Sequence, residues 1–153
     1  NFVEQVPPTK EPVLLYPLII KSLMLFYKTM QNQGVQYEVI ADSQFLCEVD
    51  PRQMKRVFVH LIRNAVEAME NGGRLVVEVV VESEQARIYF RDSGTGIADS
   101  DLHRATDPFY TTKTAGTGVG LALVERIIND HDGEFIIRKR NSGGTEVAVT
   151  LPL

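Results

Sequence analysis

Along this chain the spacing of apolar residues changes from helical to alternating and back, three times in one order: a helical stretch, then two short strands. That order is what most limits the fold. Helices and strands are mixed along the chain. Adjacent strands can pair as hairpins, and each helix must bury its apolar face on something. The expected class is therefore α+β: a two-layer α/β sandwich, one mixed sheet with helices on one face.

The first helical stretch runs from Leu15 to Met30, with Tyr16, Ile19, Ile20, Leu23, Phe26, Tyr27 and Met30 at helical spacing. Pro17 fits only its first turn, and Gly34 is the stop. Leu18, Met24 and Leu25 lie off that face, which implies either deep burial or a docking surface. Strands are expected at Val35 to Ile40 and Phe45 to Val49. Asp50-Pro51 then starts a second helix, with aspartate at the cap and proline at the first helical position. Its apolar face is Met54, Val57, Phe58, Leu61, Ile62, Ala65 and Met69, and Asn71-Gly72-Gly73 ends it. Arg74 to Glu82 and Gln85 to Arg91 read as a hairpin. A third helix begins near Gly118 and runs to about His131. Strands Gly133 to Arg138 and Thr145 to Leu151 follow, joined through Asn141-Ser142-Gly143-Gly144. Residues 1–10, with Pro7 and Pro8, read as a linker or domain edge, and 11–153 as one domain.

Composition removes several functions. With 16 Lys+Arg against 20 Asp+Glu the net charge is −4, and no basic stripe offers a nucleic-acid surface. The single cysteine, Cys47, excludes a disulfide framework or a multi-cysteine metal site and reads as a small core hydrophobe. The most apolar stretch, Val13 to Tyr27, is interrupted by Pro17 and Lys21, whereas a membrane crossing needs roughly 20 apolar residues. The opening Asn1-Phe2-Val3-Glu4 has no basic region leading into an apolar run, so no signal peptide is expected within this sequence.

Four features carry chemistry. His60 and Asn64 are one turn apart on the second helix, so both can face one side. An amide among apolar neighbours needs partners: Asn64 is either a satisfied core amide or a metal or phosphate contact. Next comes Asp92-Ser93-Gly94-Thr95-Gly96-Ile97, directly after a strand, where glycines let backbone approach a ligand closely. Third is Asp107-Pro-Phe-Tyr-Thr-Thr112-Lys113, a loop with a mobile positive charge. Last is Gly116-Thr117-Gly118-Val119-Gly120-Leu121, opening a helix. Glycine costs about 1 kcal/mol relative to Ala inside a helix, so three at its entrance suggest free N–H groups that hold an anion. The alternative is a hinge. Neither glycine cluster is a dinucleotide fingerprint or a P-loop. One economical reading joins them. Asn64 gives an oxygen to Mg²⁺, the Gly116–Gly120 turn cradles phosphates, Lys113 adds charge, and Asp92 accepts from an exocyclic amine such as adenine's.

In these residues the sequence resembles the catalytic, ATP-binding domain of bacterial sensor histidine kinases, which share a superfamily with type II topoisomerases, Hsp90 and MutL. His60–Ala65 is similar to the N box, Asp92–Ile97 to the first glycine box, Pro108–Lys113 to the F box and Gly116–Leu121 to the second. Gly143-Gly144-Thr145 through Leu151-Pro152-Leu153 resembles the closing strand. The Pro-Phe-Tyr-Thr-Thr-Lys form is similar to the nitrogen-regulator-like subgroup.

The resemblance implies a Bergerat-type ATP-binding fold over residues 11–153, with ATP or ADP and Mg²⁺ as ligands. It implies Asn64 as Mg²⁺ ligand, with His60 and Lys113 beside the chemistry. Asp92 is the implied adenine anchor, with Gly94, Gly96 and Ile97 beneath the base and Thr145 in support. Thr112, Lys113, Gly116, Thr117, Gly118, Val119, Gly120 and Leu121 line the phosphate side. Where many relatives have Lys three residues after the Mg²⁺-binding Asn, this chain has Glu67, which shifts charge neutralisation to Lys113, with Arg63 second. The implied partners are a helical dimerisation and histidine-phosphotransfer domain of the same kinase and a response-regulator receiver domain. The parent is then a homodimer acting in the cytoplasm, itself membrane-anchored or not. None of His60, His103 and His131 sits in an acceptor motif, since Leu61, Arg104 and Asp132 follow them. Rival readings are an ATPase clamp or an anti-sigma-type serine kinase of the superfamily, both of which keep a carboxylate where this chain has His60. A nucleotide-dependent binding module is the third.

Overall fold

The computed structural model describes residues 6–94 and 118–153. Gly96, Ile97, Thr112, Lys113, Gly116 and Thr117 lie outside the described residues. The elements in order are β1 (Glu11–Leu14), α1 (Leu15–Met24), α2 (Tyr27–Gln33), β2 (Val35–Ile40), β3 (Leu46–Val49), α3 (Pro51–Glu67), β4 (Gly73–Val81), β5 (Gln85–Asp92), α4 (Gly118–Asp130), β6 (Glu134–Lys139) and β7 (Thr145–Pro152).

Five strands form one mixed sheet in the order β2-β4-β5-β7-β6. The hairpins β4–β5 and β6–β7 are antiparallel, as is β5–β7, while β2 runs parallel to β4. A parallel pair needs a long crossover, and β3 with α3 supplies it. Strand parity decides which side chains enter the core. Ala86, Ile88 and Phe90 of β5 are buried with Leu75 and Val77 of β4 and Val149 and Leu151 of β7. Helices cover that face, giving the expected two layers. On the other face Arg91 meets Glu78 at 2.7 Å and Glu146 at 2.9 Å and stacks on Tyr89. Such surface pairs add little stability.

Helix α3 begins as its sequence dictates. The Asp50 carboxylate accepts from the N–H groups of Arg52 and Gln53 at 3.0 and 3.1 Å, and Pro51 occupies the first turn. Met54, Val57, Phe58, Leu61, Ile62, Ala65 and Val66 form its buried stripe. Phe58 meets Phe90 with ring centroids 5.7 Å apart. At the far end of α4, buried His131 accepts the Asp50 N–H at Nε2 (3.0 Å), so its proton sits on Nδ1, facing the Ile127 carbonyl at 2.9 Å. The C-terminus of α4 is thereby fastened to the N-terminus of α3.

Three local expectations are corrected. The stretch from Leu15 to Met30 is two helices, broken at Leu25-Phe26. The break turns α2 so that Gln33 Nε2 donates to the carbonyls of Val66 and Met69 (2.9 and 3.1 Å) at the end of α3. Of the residues off its apolar face, Leu18 packs on the core, but Met24 and Leu25 are exposed. Secondly, β3 does not join β2. It pairs antiparallel with β1, a strand absent from the sequence reading, as a separate two-stranded ribbon. Pro12 sits in β1, where a short edge strand tolerates the missing donor. Thirdly, α3 stops at Glu67, and Ala68 to Gly72 form a turn that still buries Met69. Residues 6–10 carry no helix or strand. They are tied to α3 through Thr9 N–H to Asp50 Oδ2 (2.8 Å) and Gln53 Nε2 to the Val6 carbonyl (3.1 Å).

Candidate nucleotide site

Period-two alternation along β5 puts Asp92 on the same face as Ile88 and Phe90, so a carboxylate ends a row of buried apolar residues. It is 6% exposed. Its Oδ1 accepts the N–H groups of Gly94 at 2.9 Å and Thr145 at 3.3 Å. Thr145 opens β7 beside this strand end and is buried as well. Ser93 continues the anchorage: its Oγ accepts from the Arg74 N–H at 2.9 Å and donates towards Met69 Sδ at 3.8 Å.

Gly94 passes against the end of α3, where a Cβ would stand 2.4 Å from the Ala68 carbonyl oxygen. Only glycine fits there without displacing the end of α3. The structure thus brings Asp92, Gly94 and Thr145 together and sets them against the last turn of α3.

His60 and Asn64 are half-buried on one flank of α3, beside its buried stripe. Burial, then the charges of Arg63 and Arg56, lower the His60 pKa below its ordinary value. The imidazole is neutral at pH 7. Arg63 is exposed and lies over the Phe26 ring at 5.9 Å. Glu67 follows Asn64 by one turn and is half-buried.

Gly118 and Val119 begin α4, with Gly120 buried and Leu121 packed on the core. His131 fastens the C-terminal end of α4 to the start of α3. A helix N-terminus carries a positive dipole end, which favours an anion beside the start of α4.

Cys47 is buried, and burial with the Glu48 charge pushes its thiol up to about 11, so it is core material. Among the described residues no group of three or more His, Cys, Asp or Glu could hold a metal. Sequence reasoning missed Ser93 and Arg140, whose Nη1 donates to the Asp92 carbonyl at 2.9 Å. Both contacts join residues far apart in the chain, and no spacing rule signals them.

Residues 49–153 match the family described as histidine kinase-, DNA gyrase B- and HSP90-like ATPase. Sporulation kinase E of Bacillus subtilis (strain 168) is 36% identical over 126 residues, which are 81% of this chain and 17% of that protein. The chain thus spans about a sixth of the length of that relative. The catalytic domain of histidine kinase ThkA, in a nucleotide-free form, is similar with a TM-score of 0.85 at 25% identity, covering 94% of this chain and 97% of that one. Histidine kinase ThkA in complex with response regulator protein TrrA gives 0.79 at 23% identity, covering 94% of this chain and 41% of that one. With the anchored carboxylate at the end of β5 and the matched span containing every element of the site, this chain belongs to the family of histidine kinase-, DNA gyrase B- and HSP90-like ATPases, as a catalytic domain of the histidine-kinase type.

Proposed function

We propose that this domain binds ATP with Mg²⁺ and donates the γ-phosphoryl group to a histidine on a separate helical dimerisation domain of the same kinase. A receiver-domain aspartate of a response regulator takes it next. The observation that carries the reading is the buried Asp92 carboxylate, its Oδ1 fixed by the N–H groups of Gly94 and Thr145. An ionised carboxylate accepts from the exocyclic amine of adenine. Guanine presents a carbonyl there, an acceptor against an acceptor, and is rejected.

In this reading Gly94, Gly96 and Ile97 serve the base side and Thr145 supports it. Gly116 to Leu121 serve the phosphates, whose charge N–H groups at a helix start stabilise. Lys113 and Thr112 complete that side, and Lys113 replaces the lysine that Glu67 displaces. Asn64 is the residue that would hold Mg²⁺. A lone neutral amide suits this ion, which keeps most of its waters and leans on substrate phosphates. When bound, the ion neutralises phosphate charge. The protein's own contribution is positioning, as is general for phosphoryl transfer.

His60 separates this reading from its rivals. Clamp ATPases and anti-sigma-type serine kinases resemble one another in a carboxylate that activates water at this position. His60 is instead a neutral imidazole flanked by Arg56 and Arg63, a polar neighbour of Asn64. The parent kinase is then a homodimer whose catalytic domain works in the cytoplasm. Among the described residues, no helix is long and apolar enough to cross a membrane.

Calorimetric titration tests the site. Wild type should bind ADP and ATP, and GTP far more weakly. Asp92→Ala should cost about 1.5–3 kcal/mol, roughly 10- to 150-fold in affinity, in a folded protein. Unchanged ADP affinity in that variant contradicts the assignment.

A further inference from the structure

The turn between β6 and β7 closes through Arg140 N–H to the Gly144 carbonyl and Gly143 N–H to the Arg140 carbonyl, both 3.1 Å. From this turn the half-buried Arg140 side chain reaches back to the end of β5, where its Nη1 donates to the Asp92 carbonyl at 2.9 Å. Gly144 presses on the same oxygen: a Cβ there would stand 1.9 Å from it, and the backbone has φ +90°. Asp92 is the last residue of β5, in register with Leu75 of β4. A guanidinium gives it a charge-assisted bond, stronger than a neutral one.

Asp92 is thus gripped at two points. Its Oδ1 is held by Gly94 and Thr145, and its carbonyl by Arg140. Thr145 follows the same turn that carries Arg140, so one turn sets both the backbone and the side-chain contact. Resting on the nucleotide-binding reading above, we propose that Arg140 is a positioning residue for base recognition. It fixes the Asp92–Ser93 peptide, and with it the direction of the carboxylate, and so raises adenine affinity without touching the nucleotide.

The test compares the whole chain as wild type, Arg140→Met and Arg140→Lys. Arg140→Met should weaken ADP binding about three- to tenfold, less than the worth of a charge-assisted hydrogen bond, because Arg140 acts on the base only through Asp92. Its Gly94 and Thr145 amide resonances should shift before any nucleotide is added, with the thermal midpoint near that of wild type. Arg140→Lys should restore part of the affinity. Wild-type amide shifts together with wild-type ADP affinity in Arg140→Met would overturn the proposal. A fallen midpoint with unchanged affinity would overturn it too, since the role is then structural. ADP binding that is lost in Asp92→Ala but untouched in Arg140→Met removes this role alone. No ADP binding by wild type removes the nucleotide reading and this role with it.

Discussion

At Asn64 the chemistry is neutral, and that makes its role separable from bulk attraction. An amide oxygen coordinates a cation but adds no charge of its own. Asn64→Ala should therefore weaken Mg²⁺-dependent ATP binding more than metal-free ADP binding, as read by titration with and without Mg²⁺. Equal losses in both would mark a structural amide. Asp92 differs because its position follows from parity. A carboxylate at the strand end was legible in the sequence; its burial follows because β5 runs one residue further, so that alternation from Ala86 through Ile88 and Phe90 turns Asp92 inward. What cannot be read is its anchorage. Gly94 is two residues away and follows ordinary turn chemistry, but Thr145 and Arg140 are distant, and only the pairing of β5 with β7 brings them near.

Helix α3 carries the site at one end and its cap at the other. Burial works against the charged form of Asp50, but N–H groups of Thr9, Gln53 and Arg52 outweigh it and lower its pKa below the ordinary 3.8. Asp50→Ala should cost about 1–2 kcal/mol at pH 7, the range for lost helix caps. The native carboxyl titrates below its unfolded value, so this stability is complete above about pH 4 and vanishes as pH falls through the native value. Urea unfolding of both proteins across that range is the check, and a constant difference would contradict it. The β6–β7 turn gives a second contrast. Gly143 has φ +98° and open space around its Cβ position, whereas Gly144 has φ +90° and the Asp92 carbonyl in the way. Gly143→Ala should lose about 1 kcal/mol of stability to backbone strain, and Gly144→Ala about 3 kcal/mol or more with weakened ADP binding. Equal losses in thermal unfolding would refute the close approach. The cap and this turn were visible in the sequence. The break at Leu25-Phe26 was not, because Leu23, Phe26 and Met30 keep helical spacing across it. Pro12 and a length of four residues hid β1, and once β1 takes β3, the edge of β4 is left to β2.

Across the whole molecule, α3 and α4 are fastened at Asp50 and His131, and the other end of α3 meets the chain just after β5, where Ala68 lies against Gly94. Class and layering followed from periodicity because each apolar stripe needs a facing layer. Strand order depends on long-range pairing that no local pattern encodes, so the parallel β2–β4 contact emerged only from the structure. On the proposed reading the site binds a nucleotide but has no carboxylate at residue 60 to activate water, so the domain should transfer phosphate and not spend it on hydrolysis. The most direct measurement follows label from γ-radiolabelled ATP with this chain alone, then with the kinase's helical domain added as a separate chain. The account predicts little labelling or turnover by the chain alone, and acid-labile label on the added domain that Asp92→Ala abolishes. Stable label on this chain by itself, or fast ATP turnover that His60→Ala removes, would contradict it.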